Sequence, residues 1–426
     1  MSKVVQGKQI VSSLALPIGL ILSPASLALL GNKMGQAGGV FLFAIAIGAA
    51  IHFLTVYSYG KLSHISHSFH IEMHCIHKAL GLVPCLVLSF CSRGVFLVSA
   101  APVILAMAGY VFNEVFLYWF PNLAFSFCCL FFLLALNLLG REVAEIGQIC
   151  FVLTAFLGLT VLSLVGLTGS GIMGEMEGVY LPLRNMIQIL LPGVLLLVGF
   201  ELPILTNREW KRRPSIIGVM ILAIIMTGSL FSVWGLNSIR YVTLARLSET
   251  TVPHMVTARA MLGDGGRILM GIVVLASACG VVNALLITVS SMISYMAMDG
   301  FLPSFLGMKW NRPIIPLFLL TACIAAMMGY GMAGEPVLEV YIRAALFFWL
   351  LLYGVIHLSV LLLQKRAHTL SIVPWIGIFT MFAALIGVVW YDQERIILLK
   401  AIFFIFMAAV LFALVWDWAK RRSQAV

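Results

Sequence analysis

The chain has 426 residues, of which 62% are hydrophobic and 10% charged, with a net charge of +10 and a mean hydropathy of +1.09. Soluble domains are about half apolar and about one quarter charged, so this composition excludes a soluble globular enzyme and points to an integral membrane protein. The basic excess calls for no nucleic-acid partner, because anionic membrane lipid and loop topology account for it.

Twelve stretches approach or exceed the roughly 20 apolar residues with which an α-helix crosses a bilayer. They lie near 10–30, 37–60, 82–111, 122–139, 146–168, 186–206, 214–239, 266–298, 314–333, 337–363, 372–391 and 395–418. The ten-residue alternation of a membrane barrel is absent, so the expected fold is all-α with about 12 transmembrane helices. The first stretch reads as a span and not as a cleavable leader, since span after span follows it. An even span count puts both termini on one side. With the termini cytoplasmic, inner segments hold sixteen Lys and Arg against eight in outer loops, which the positive-inside rule favours. A plasma (inner) membrane location follows.

In chain order, the first span is irregular. It reads LALPIGLILSPAS, with Pro17, Gly19 and Pro24 close together, and proline costs about 3 kcal/mol in a helix interior. Span two carries His52, read as a packing histidine. The segment after it, KLSHISHSFHIEMHCIHKAL, holds His64, His67, His70, His74 and His77. The last four fall within about 80° on a helix, and His70 with His74 is a spacing that chelates transition metals. A histidine-box membrane enzyme of the hydroxylase or desaturase type is therefore an alternative reading, but no second box occurs. A surface helix is the expectation, with this stripe a weak metal candidate. Arg93, about a dozen residues into span three, is read as snorkelling to the interface, with lining of the inner vestibule or pairing with an acidic group as the alternative.

Span five lacks any basic residue over 149–165. Span six, GVLLLVGFELPILTN, places Gly199, Glu201 and Pro203 in an apolar run. A charge at a helix centre costs roughly 2.5–3.5 kcal/mol on insertion scales, so Glu201 should face a cavity or carry a proton. Spans one and six, about 180 residues apart and each interrupted near its middle, form the pattern of paired discontinuous helices in an inverted-repeat transporter. Ser277, Ser290 and Ser291 in span eight are possible oxygen ligands for sodium. His357 in span ten is read as packing. The eight cysteines show no CxxC pair and are expected to form neither disulfides nor a metal site. The loops are short, and no phosphate-binding loop is present, so neither an enzyme nor a pump is expected. A channel would need a continuous polar pore, whereas the few polar residues gather at the two breaks.

Three stretches together resemble the amino acid–polyamine–organocation (APC) permeases: GFELPILTNREWKRRPSIIGVMI, NALLITVSSMISYMAMDGFLPSFL over 283–306, and NLLGREVAEIGQ over 137–148. The resemblance implies a five-plus-five inverted repeat of the LeuT type, with repeats over 1–168 and 186–363 and two further spans in 372–426. It also implies a secondary transporter, a symporter or exchanger working by alternating access on an amino acid or related amine. The family's Gly-x-Gly of span one stands here as Pro17, Ile18, Gly19. On this reading Pro17, Gly19, Leu20, Ser23, Gly199, Phe200 and Glu201 line the substrate site. Backbone N–H groups of residues about 19–23 would hold a carboxylate and carbonyls near Gly199 an ammonium. Glu201 would gate or couple to protons, the alternative being a hydrogen-bonded carboxyl that caps freed amides of span seven or ten; no cofactor would be needed, and a coupling proton ranks above sodium.

Overall fold

A backbone in hydrocarbon must satisfy its own N–H and C=O groups, and the chain does so as helices. In the computed structural model of the protein, residues 3–65, 71–169, 183–206, 214–310, 312–364 and 371–424 are described. In chain order the helices are α1 (Lys3–Ile21), α2 (Pro24–Ala37), α3 (Phe41–Ile65), α4 (Ile71–Leu80), α5 (Leu82–Ser89), α6 (Val95–Val115), α7 (Asn122–Leu139), α8 (Arg141–Thr168) and α9 (Leu183–Leu195). They continue as α10 (Pro203–Thr206), α11 (Pro214–Tyr241), α12 (Leu244–Glu249), α13 (Pro253–Met298), α14 (Ile314–Gly329), α15 (Pro336–Gln364), α16 (Ile372–Trp390) and α17 (Arg395–Gln424). One isolated bridge joins Lys309 and Arg312.

Among the described residues, nine helical stretches are long and apolar enough to cross a membrane, with Gln9–Ile21 and Ile314–Gly329 shorter. The count differs from the expected twelve for local reasons. The first and sixth spans are interrupted, and α2 runs into α3 through a single 3-10 turn at Gly38–Val40.

The chain divides into two compact units. The first comprises residues 1–52, 104–200 and 218–284. Its core includes Ala15, Ile18, Val152 and Ala223, and its helices approach through small residues, as membrane helices do. A Cβ on Gly48 would collide with the Gly193 carbonyl, and one on Gly193 with that of Ala44. A chain of buried amides ties four helices together. Asn137 Nδ2 donates to Asn283 Oδ1 at 2.8 Å, Asn283 Nδ2 to Gln148 Oε1 at 2.9 Å, and Gln148 Nε2 to the Ala15 carbonyl at 3.0 Å.

The second unit comprises residues 53–103, 201–217 and 285–426. Here α15 packs along α16, where the His357 ring fills the space above Gly377. Both ring nitrogens of His357 are bonded, Nδ1 to Ser58 Oγ at 2.7 Å and Nε2 to Thr55 Oγ1 at 3.2 Å. It is the packing histidine its lone position on an apolar helix suggested.

Candidate functional site

The first span does break, but four residues beyond Gly19. Helix α1 runs through Pro17 to Ile21, and Ser23 stands extended at φ −83°, ψ 155° before α2 begins at Pro24. Pro24 is the cause. A residue before proline is pushed out of the α region, and proline at the first position of the next helix loses an N–H that would have no partner there. Pro17 removes a single bond inside α1, which the helix tolerates. The expected cradle of free N–H groups over residues 19–23 is therefore corrected: residues 19–21 lie within α1, and the Leu22 N–H donates to the Ile18 carbonyl at 2.9 Å. Ser23 caps α2 itself, its Oγ accepting from the Ser26 N–H at 2.9 Å. The break instead presents the carbonyl end of α1, because the helical partner of the Leu20 carbonyl would be the missing N–H of Pro24. Gly19 is a packing residue, since a side chain there would collide with Gln148.

The sixth span is interrupted where the sequence placed the break. Helix α9 stops at Leu195, turns occupy residues 196–202, and α10 resumes at Pro203. Gly199 has φ +101°, a conformation that costs a side-chain-bearing residue roughly 1–2 kcal/mol. Its missing Cβ makes room for Leu20, whose Cδ2 would collide with it. The two interruptions thus meet within the first unit. Phe200 is fully buried with its ring 4.9 Å from that of His52, and His52 Nε2 is bonded to the Val194 carbonyl at 2.8 Å. His52 braces the break, a role that its packing reading did not include.

Glu201, the next residue, belongs to the second unit and to a cluster of charge. Arg93 does not snorkel. It is fully buried, and its Nη2 donates to Glu201 Oε1 and to Glu72 Oε2, each at 2.9 Å, while Nη1 donates to Glu72 Oε1 at 2.5 Å. The remaining carboxylate valences are also filled. Trp349 Nε1 donates to Glu201 Oε1 at 2.7 Å, Tyr353 Oη to Glu201 Oε2 at 2.5 Å, and Tyr59 Oη to Glu72 Oε2 at 2.6 Å. The guanidinium also lies 5.6 Å from the Trp349 ring centre, a cation–π contact. Arg93 is carried on a π-helical turn, Phe90–Gly94, an irregularity that recurs at functional positions.

Glu72, Tyr59, Trp349 and Tyr353 escaped the sequence reading. A signal existed. A lone intramembrane arginine needs an acid, and Glu72 is the single acid of the segment 61–81. Trp349 and Tyr353, one turn apart on α15, are polar-tipped aromatics on one helix face.

The other candidates are placed as follows. Ser277 belongs to the first unit, and Ser290 and Ser291 to the second. Ser277 Oγ donates to the Val274 carbonyl and Ser290 Oγ to that of Leu286, so both hydroxyls are used within α13. His67 and His70 lie outside the described residues. His74 is exposed on α4, and His77 stacks on Phe301 at 4.7 Å beside a surface cavity shared with Lys78 and Asp299. Among the described residues no group of three or more His, Cys, Asp or Glu is arranged to hold a metal ion.

No family model matches the chain, and no curated protein matches it by sequence. Solved structures do match in fold. A histidine-to-alanine mutant of the Eremococcus coleocola manganese transporter superposes with a TM-score of 0.61 at 11% identity, over 97% of this chain and 95% of that one. A glutamate-to-alanine mutant of the same protein gives 0.61 at 12% identity with the same coverage. Its complex with an aromatic bis-isothiourea substituted compound gives 0.56 at 14%, over 99% and 97%. The chain has the fold of a membrane transporter.

Proposed function

We propose that this protein is a secondary transporter that moves a small cationic solute, an amino acid or related amine, by alternating access with proton coupling. The observation that carries the reading is the pair of interrupted helices, 22–23 and 196–202, that meet at Leu20 and Gly199. A broken helix pair supplies backbone groups that an unbroken helix spends on itself. The carbonyl end of α1 attracts positive charge, which favours the ammonium group of a substrate over its carboxylate. The APC-type inverted repeat over 1–168 and 186–363, the appended spans of 372–426 and cytoplasmic termini belong to the same proposal.

Coupling rests on charge counting. Glu72 and Glu201 against Arg93 leave one negative charge in a fully buried cluster, and uncompensated buried charge is expensive. One proton neutralises it. Because Glu201 follows Phe200 directly, a change in the cluster acts on the break through a single peptide unit. Uptake of radiolabelled amino acids and polyamines into proteoliposomes across an imposed pH gradient tests both parts. We expect accumulation of at least one amine, driven by the gradient. In Glu201→Gln, which keeps oxygen and shape but no charge, the gradient dependence should vanish while binding persists. A variant retaining full pH dependence would remove Glu201 from coupling.

A second reading follows the structural neighbours and makes the cargo manganese. Manganese favours carboxylate, carbonyl and water oxygens, and the carbonyl end at Leu20 offers one such donor. Manganese uptake that amines do not inhibit would select this reading.

A further inference from the structure

Three arginines line a cleft that the transport reading does not use. It lies in the first unit, has a volume of about 450 Å³, and is lined by Arg246, Arg259 and Arg267 together with Glu114 and Tyr110. The rest of its wall is apolar, from residues such as Val111, Val256 and Met255. Arg259 and Arg267 face one cleft because α13 is kinked between them, with Leu262 at φ −130° and Gly263 at φ +59°. Arg246 comes from α12 and Glu114 from the end of α6.

The charge in this cleft is not balanced. Glu114 is the one acid in its lining, against three arginines. Asp264, which is not part of that lining, is 3.9 Å from Arg267 Nε and largely exposed, and that Nε is buried without a hydrogen bond among the described residues. This is the reverse of Arg93, whose two terminal nitrogens are both taken by carboxylates. Guanidinium groups fit multi-oxygen anions bidentately, and the volume is that of a small-ligand pocket.

We infer that this cleft binds a phosphate group, held by Arg246, Arg259 and Arg267 against the apolar wall. The group has two available sources, the headgroup of an anionic phospholipid and free phosphate. Both present the same oxygens to the arginines.

The test is titration of inorganic phosphate into purified full-length protein at constant ionic strength, first in detergent and then in nanodiscs of phosphatidylglycerol or phosphatidylcholine. We expect saturable binding in detergent that weakens at least tenfold in the double variant Arg246→Gln/Arg259→Gln and is unchanged in Arg395→Gln, a surface arginine elsewhere. Glu114→Gln removes the one opposing charge and should tighten binding severalfold. That opposite sign keeps the proposal testable if the double variant fails to fold. Loss of phosphate binding in phosphatidylglycerol but not in phosphatidylcholine assigns the headgroup, and equal binding in both assigns free phosphate. The proposal is overturned if wild-type protein binds phosphate no better than the double variant and phosphatidylglycerol copurifies equally with both, or if Glu114→Gln weakens binding.

Discussion

Two buried polar networks, one in each unit, show how differently membrane proteins use polarity. In the first unit Asn137, Asn283 and Gln148 form a neutral chain, each buried and each amide spent on the next or on a carbonyl. In the second, Glu72, Arg93 and Glu201 are equally buried but carry an odd number of charges. Burial is the same, and the charge is not. The amide chain is neutral and can only hold helices, whereas the charged cluster sets two carboxylates against one guanidinium.

The largest effect expected from breaking this contrast is Arg93→Met. It strands two buried carboxylates, a loss of about 3–5 kcal/mol, and should appear as a collapse of monodisperse yield and melting temperature. Asn283→Ala leaves the Asn137 and Gln148 amides short of a partner, at about 1–3 kcal/mol. Its melting temperature should fall while the pH profile of transport stays that of the wild type. A changed profile would show that the neutral chain takes part in coupling. Gly199→Ala forces a Cβ into positive φ at roughly 1–2 kcal/mol and displaces Leu20, so transport should fall further than stability, measured by uptake and thermal unfolding of the same preparation.

The smallest effect belongs to His77, outside the spans. Its burial first, then the charges of His74 and Lys420, hold its pKa below 6.5. The charges around it are those of His74, Lys78, Asp299 and Lys420. The unfolded chain then binds more protons than the folded one between the two values, so stability declines as pH falls through 6.5. Thermal unfolding of His77→Gln across this range should lose that slope.

Much of this was legible in the linear chain because membrane physics acts locally. A run of apolar residues must become a helix whatever its neighbours, and Gly199 followed by Pro203 marks an interruption for reasons contained in those residues. The first break was misplaced for a local reason too. Pro17, Gly19 and Pro24 all weaken a helix, and only the extended Ser23 beside Pro24 shows which of them ends it. Gly19 looks like a binding glycine until Gln148 is seen against it.

The charged cluster was not legible in the same way. Arg93, Glu72 and Glu201 are separated by 21 and 108 residues, and no periodicity links them. Read alone, Arg93 is near enough to a helix end to snorkel, and Glu72 sits in a segment whose histidines draw attention elsewhere. Composition and hydrophobic run length determined that this is a helical membrane protein, because desolvation of the backbone is a cost each segment meets alone, and the Gly and Pro within two of the runs marked them as interrupted. Tertiary structure decided which charges neutralise which and that Leu20 covers Gly199, because pairing and close contact depend on distances that only the packed helices set.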